Sequence, residues 1–127
     1  MMNFIDEALG KHLTAHVFLQ AMSAISDHPE VREILHTYPQ WIQDVITVID
    51  YDTEMSSEGM ENREYTPEIA ALKRCGITKE AELLSMVHDS SDYAAMSAIY
   101  PRLAFLNEED YSAFWNCVTA YIDQNLT

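Results

Sequence analysis

Basic residues are scarce in this chain. Seven Lys and Arg face 21 Asp and Glu, which leaves a net charge of −14 over 127 residues. Direct nucleic-acid binding through phosphates is therefore not expected, because that mode needs clustered Lys and Arg. Anionic membrane is disfavoured for the same reason. Glycine is nearly as rare: three in the whole chain leave no phosphate-cradling loop. The two cysteines, Cys75 and Cys117, stand 42 positions apart, which fits neither a redox Cys-x-x-C nor a zinc pattern. Each sits inside an apolar helical pattern and reads as a buried free thiol in a reducing compartment, so a cytoplasmic location is expected. No uncharged apolar run approaches the roughly 20 residues that a bilayer span needs. Asp6 and Glu7 stand where a secretory signal carries base, so none is expected.

What remains is the composition of a globular protein, with 48% hydrophobic and 22% charged residues. The length suits one domain, residues 1–127, with a core that needs no staple. Helical spacing recurs and no alternating β-branched run of strand length stands out. The expected fold is all-α, a single compact domain of about seven helices. The first spans about Phe4 to Ser26, with Leu9, Leu13, Val17, Phe18, Met22 and Ile25 inward and a possible break near Gly10. Asp27 should cap a short second helix with Pro29 in its first turn, running to about Thr37. Pro39 opens a third, carrying Trp41, Ile42, Val45, Ile46 and Ile49, whose end falls either near Asp50 or near Ser57. Residues 56–65 read as a loop or short helix.

Thr66-Pro67-Glu68 marks the next start, and Gly76 its left-handed end. Thr78 begins a helix with Leu83, Leu84 and Val87 inward. Ser90 or Ser91 begins another, with Tyr93, Met96 and Tyr100, which Pro101 should kink or end. Asn107 should cap the last helix. Its stripe is Tyr111, Phe114, Trp115, Val118 and Ile122, and together with the first helix it should supply much of the core.

Few residues point to chemistry. His12 and His16 have the spacing of a helical metal pair but no third ligand, and His28, His36 and His88 form no pattern. Asp50, Asp52, Glu54, Ser56, Glu58 and Glu61 match the ligand spacing of an EF-hand loop, yet Met55 stands where that loop needs Gly and Ser57 where it needs an apolar residue. On a helix, Asp50, Glu54, Glu58 and Glu61 would instead share one face. Four residues rise about 6 Å, whereas phosphates of one DNA strand advance about 3.4 Å each, so such a row could resemble every second phosphate. Asp44 to Glu68 holds eight acids against the single base Arg63. A merely solvated face is the other reading of this stretch. No catalytic set emerges, and neither enzyme activity nor a cofactor is expected.

Two segments carry a family resemblance. Ile49-Asp50-Tyr51-Asp52-Thr53-Glu54-Met55, then Gly59, then the run from Thr66 to Gly76 with its closing Ala71-Leu72-Lys73-Arg74-Cys75-Gly76-Ile77, resemble the core of the DNA mimic protein nineteen-like domain family. The end of the chain, Leu106-Asn107-Glu108-Glu109-Asp110-Tyr111 with Tyr121 and Ile122, is similar to that family's last helix. The family's Asn-Gly-Gly-Phe turn is reduced here to Ser57-Glu58-Gly59-Met60. The resemblance covers roughly residues 44–125. It implies an all-α fold and blockage of a DNA-binding regulator by surface carboxylates.

The expected function is that of a non-enzymatic acidic protein binding a basic partner, a DNA-binding regulator or a toxin, through Asp50, Asp52, Glu54, Glu58, Glu61 and Glu64. An immunity-type antitoxin and a carboxylate metal-binding protein are the alternatives. A homodimer is also allowed.

Overall fold

Asn3 starts the first helix with a reciprocal cap. Its Oδ1 accepts the N–H groups of Ile5 (2.9 Å) and Asp6 (3.1 Å), and Asp6 accepts the Asn3 N–H in return. The computed structural model describes residues 3–59, 64–87 and 93–126. Among them are eight α-helices and four 3-10 turns, and no strand. The helices are α1 (Phe4–Leu9), α2 (Ala15–Met22), α3 (Pro29–Arg32), α4 (Gln40–Ser57), α5 (Thr66–Arg74), α6 (Thr78–Ser85), α7 (Tyr93–Ile99) and α8 (Glu108–Asn125). The fold is all-α, and none of the described helices is long and apolar enough to cross a membrane.

The helix expected over Phe4 to Ser26 does break at Gly10, the C-cap of α1, and is three elements: α1, α2 and a 3-10 turn at Ser23–Asp27. Periodicity runs across the break, but Thr14 competes with it. Its Oγ1 accepts the Val17 N–H at 3.3 Å and starts a new helix. The break turns the faces: Leu9 (41%) and Val17 (44%) are exposed, while Ile5, Phe18 and Met22 are buried. His12 therefore precedes α2 while His16 lies within it, so the two do not form a helical pair.

His28, not Asp27, occupies the cap position of α3, and the segment to Thr37 continues only as a 3-10 turn at Leu35–Thr37. Tyr38 ties this turn back to the first cap, its hydroxyl donating to Asp6 Oδ1 at 2.8 Å.

Pro39 opens α4, which takes the longer of its two expected extents, about 27 Å at 1.5 Å per residue. This helix is the centre of the core, to which the segment from Phe4 to Ser26 adds Ile5, Ala8, Phe18, Met22 and Ile25. α4 buries Ile42, Val45, Ile46, Val48, Ile49, Tyr51 and Met55, and packs against α2, α5 and α8. From α8 only Phe114, Val118 and Ile122 are fully inside, with Tyr111 and Trp115 half-buried.

Thr66 and Thr78 are the first residues of their helices, and neither acts as a side-chain cap. Gly76, at φ +81°, closes α5 as expected. Its N–H reaches Lys73 O and the Ile77 N–H reaches Leu72 O, the paired bonds of a Schellman end. The start expected at Ser90 or Ser91 lies outside the described residues. In α7 the buried residue is Ile99, whereas Tyr93 is 61% exposed. Pro101 converts the helix into a 3-10 turn at Tyr100–Arg102. Asn107 precedes α8 but does not cap it with its side chain. Its amide instead donates to Pro101 O (3.2 Å) and Leu103 O (3.0 Å), fastening the preceding turns.

Among the described residues two acids, Asp44 and Glu80, are fully buried, and both tie elements together. Asp44 in α4 accepts from Arg74 of α5, Tyr121 of α8 and Gln40. Glu80 in α6 accepts the Tyr51 hydroxyl (2.6 Å) and the Ala104 N–H (3.0 Å).

Candidate partner-binding face

The C-terminal half of α4 carries the residues singled out above. Period 3.6 sends Tyr51 and Met55 into the core and leaves Asp50, Glu54 and Glu58 towards solvent. α4 ends at Ser57, with Glu58 in the cap position and Gly59 at φ +79°. The helical row of carboxylates therefore stops at Glu58. Glu61 lies outside the described residues. Glu64 is exposed just before α5, apart from the others.

Asp50, Asp52, Glu54 and Glu58 line one open cleft of about 650 Å³. Its other walls are Leu19, Ser23, Ile25 and Ser26 from α2 and the following turn, Arg32 of α3, and Trp115 of α8. The cleft thus has carboxylates along one edge and apolar side chains, including an indole, beside them. Asp50 is held in a two-point pair by the Arg32 guanidinium, with Nη2 donating to Oδ1 at 2.7 Å. Both partners are about 40% exposed, so the pair is worth at most about 1 kcal/mol. Asp52 turns inward and accepts the Tyr111 hydroxyl at 3.0 Å. Burial pushes its carboxyl above the usual aspartate range, with the Tyr111 hydrogen bond pulling the other way.

Residues 50–57 are helical, so the spacing that fits a calcium loop is wound around α4 instead of wrapping a cation. Among the described residues no group of three or more His, Cys, Asp or Glu could hold a metal ion. Asp44, one of the eight acids of the stretch, belongs to the interior and not to this face.

Sequence reasoning did not find Arg32 or Trp115 as parts of the cleft. Arg32 pairs with an acid 18 positions away, and Trp115 reads as core in an apolar stripe. No local pattern signals either. No protein-family model, curated protein or solved structure matches the chain.

Proposed function

We propose that this is a non-enzymatic, cytoplasmic acidic protein that binds a basic protein partner through the cleft beside the C-terminal half of α4, its carboxylates standing in for DNA phosphates. The observation that carries this reading is the gathering of Asp50, Asp52, Glu54 and Glu58 around one cleft with an indole beside them. A net charge of −14 steers a cationic partner towards the molecule, and the cleft gives that attraction a place to act. Arg and Lys side chains of a DNA-binding surface suit such a site chemically, since they pair with carboxylates as they do with phosphates and stack on aromatic faces. The quoted similarity to the DNA mimic family points the same way.

The test is capture of the partner from the native host, followed by binding at low and high salt with and without duplex DNA. Binding should weaken steeply with salt, and DNA should compete. The triple variant Asp50→Asn, Glu54→Gln, Glu58→Gln should slow association while keeping the fold, because the half-exposed Arg32–Asp50 pair that it weakens is worth at most about 1 kcal/mol and like-charge neighbours at i, i+4 are relieved. Equal binding at both salts together with normal binding by the triple variant would refute the proposal. Salt-sensitive binding without DNA competition would leave the acidic face in place and remove mimicry.

A further inference from the structure

Cys75 and Cys117 are far apart in the chain, but the fold brings them to one place. Cys75 follows the last residue of α5, next to the left-handed Gly76, and Cys117 lies midway along α8. Both line a single shallow cleft of about 200 Å³, with Arg74 and Tyr121 beside them. Burial pushes the Cys75 thiol up to about 12, with the Asp44 charge adding to that rise. The two thiols differ in access, Cys75 being buried and Cys117 half-exposed. Cys117 also borders a neighbouring cleft of about 160 Å³.

We propose that Cys75 and Cys117 are a redox-sensitive pair that closes to an intramolecular disulfide under peroxide, stapling the end of α5 to α8. The difference in access sets the order. Hydrogen peroxide oxidises the Cys117 thiol to a sulfenic acid, its O–O bond breaking and its second oxygen leaving as water with the thiol proton. The Cys75 sulfur then attacks the Cys117 sulfur. The S–S bond forms as the S–O bond breaks, and the hydroxyl departs with the Cys75 proton as a second water. Two thiols and one peroxide thus become one disulfide and two waters. The staple spans the seam that Asp44 already closes, since Arg74 adjoins Cys75, Tyr121 lies one turn beyond Cys117, and both donate to Asp44. This inference does not depend on the partner-binding reading.

The experiment treats the full chain with a small excess of hydrogen peroxide. The intact mass should fall by about 2 Da and recover with dithiothreitol. Trypsin cuts after Arg74, Lys79 and Arg102, so without reductant the peptides 75–79 and 103–127 should run as one linked species. The oxidised chain should melt about 5–10 °C higher, because the bridge constrains a long loop of the unfolded state. Cys117→Ser is the control of choice because its site is half-exposed; its melting curve checks the fold, and it should show neither the mass loss nor the linked peptide. A gain of about 32 Da at Cys117 with Cys75 still alkylatable after unfolding would overturn the proposal. Bridging only between chains would overturn it equally.

Discussion

Replacing Asp44 with alanine should be among the most damaging single changes in this molecule. Its carboxylate is 1% exposed and receives Arg74 Nε at 2.8 Å, Arg74 Nη2 at 2.8 Å, the Tyr121 hydroxyl at 2.7 Å and Gln40 Nε2 at 3.0 Å. Each hydrogen bond to a charged group contributes about 1.5–3 kcal/mol, and the bonds do not add because they share one acceptor group. Breaking a fully buried ion pair costs about 3–5 kcal/mol, chiefly through the stranded partner. Here the Arg74 side chain is 46% exposed and can turn to water, which discounts that part. The Tyr121 hydroxyl loses its acceptor, and its ionisation, which burial and Asp44 now push up, should become easier.

The expected loss is therefore about 3 kcal/mol for Asp44→Ala and about 2 kcal/mol for Asp44→Asn, whose amide keeps the shape but not the charge. Urea unfolding followed by far-UV circular dichroism measures this as a lower midpoint at unchanged slope. In a double-mutant cycle with Arg74→Ala, the coupling should be at least about 1 kcal/mol. A loss below about 1 kcal/mol for Asp44→Ala, or no coupling, would show that the three-helix tie contributes little and that the reasoning is wrong.

Other changes test separate parts of the structure. Burial holds the Glu80 carboxyl above the ordinary glutamate range against the pull of Tyr51 and Ala104. Its contribution to stability is complete below the unfolded-state value and is lost as pH rises through the folded one. Stability of the wild type relative to Glu80→Gln, read from urea midpoints across that window, should therefore fall with rising pH. Gly59 has φ +79° and a Cβ there would meet the Tyr100 hydroxyl at 3.3 Å, whereas Gly76 has φ +81° with open space around it. Thermal melts should accordingly rank Gly59→Ala, at about 1–3 kcal/mol lost, as worse than Gly76→Ala at about 1 kcal/mol. Trp115 packs edge-on against Phe114 and Tyr111 but is only half-buried. Trp115→Ala should cost about 1–2 kcal/mol, short of the 3–5 kcal/mol of a fully buried ring. In a Trp41→Phe background its emission should shift when a partner fills the cleft.

Much of the fold was legible because helical architecture is written locally. The spacing of Ile42, Val45, Ile46 and Ile49 predicts the inward face of α4, and Gly76 predicts the end of α5. The errors arise where a side chain overrides periodicity. The break allowed near Gly10 is where α1 ends, but the restart at Thr14 is not written in the apolar pattern, and Asn107 uses its amide on the preceding carbonyls instead of on its own helix. The site was half legible. Asp50, Glu54 and Glu58 recur at helical spacing and do share a cleft, whereas Glu61, the next of the row, lies outside the described residues. The pairs that fix the site and the core cross 18, 59 and 77 positions: Arg32 with Asp50, Tyr111 with Asp52, and Tyr121 with Asp44. Such pairs depend on tertiary placement, and nothing in a local window encodes them.

The two short turns between α7 and α8 are held by Glu80 on the Ala104 N–H, by the Asn107 amide on the carbonyls of Pro101 and Leu103, and by the buried side chains of Leu103 and Ala104. Lifting this segment would leave the hydrogen-bond ladders of the helices around it in place but would expose Leu103 and Ala104, so its opening is a local event with an apolar cost. Its opening is linked to a proton. When the turn lifts, Glu80 meets water and its carboxyl returns towards the ordinary range, so opening is favoured as pH rises. Amide exchange at Ala104 should therefore accelerate with pH more steeply than the intrinsic chemistry of exchange alone, a kinetic trace of a carboxyl that burial holds above its ordinary range.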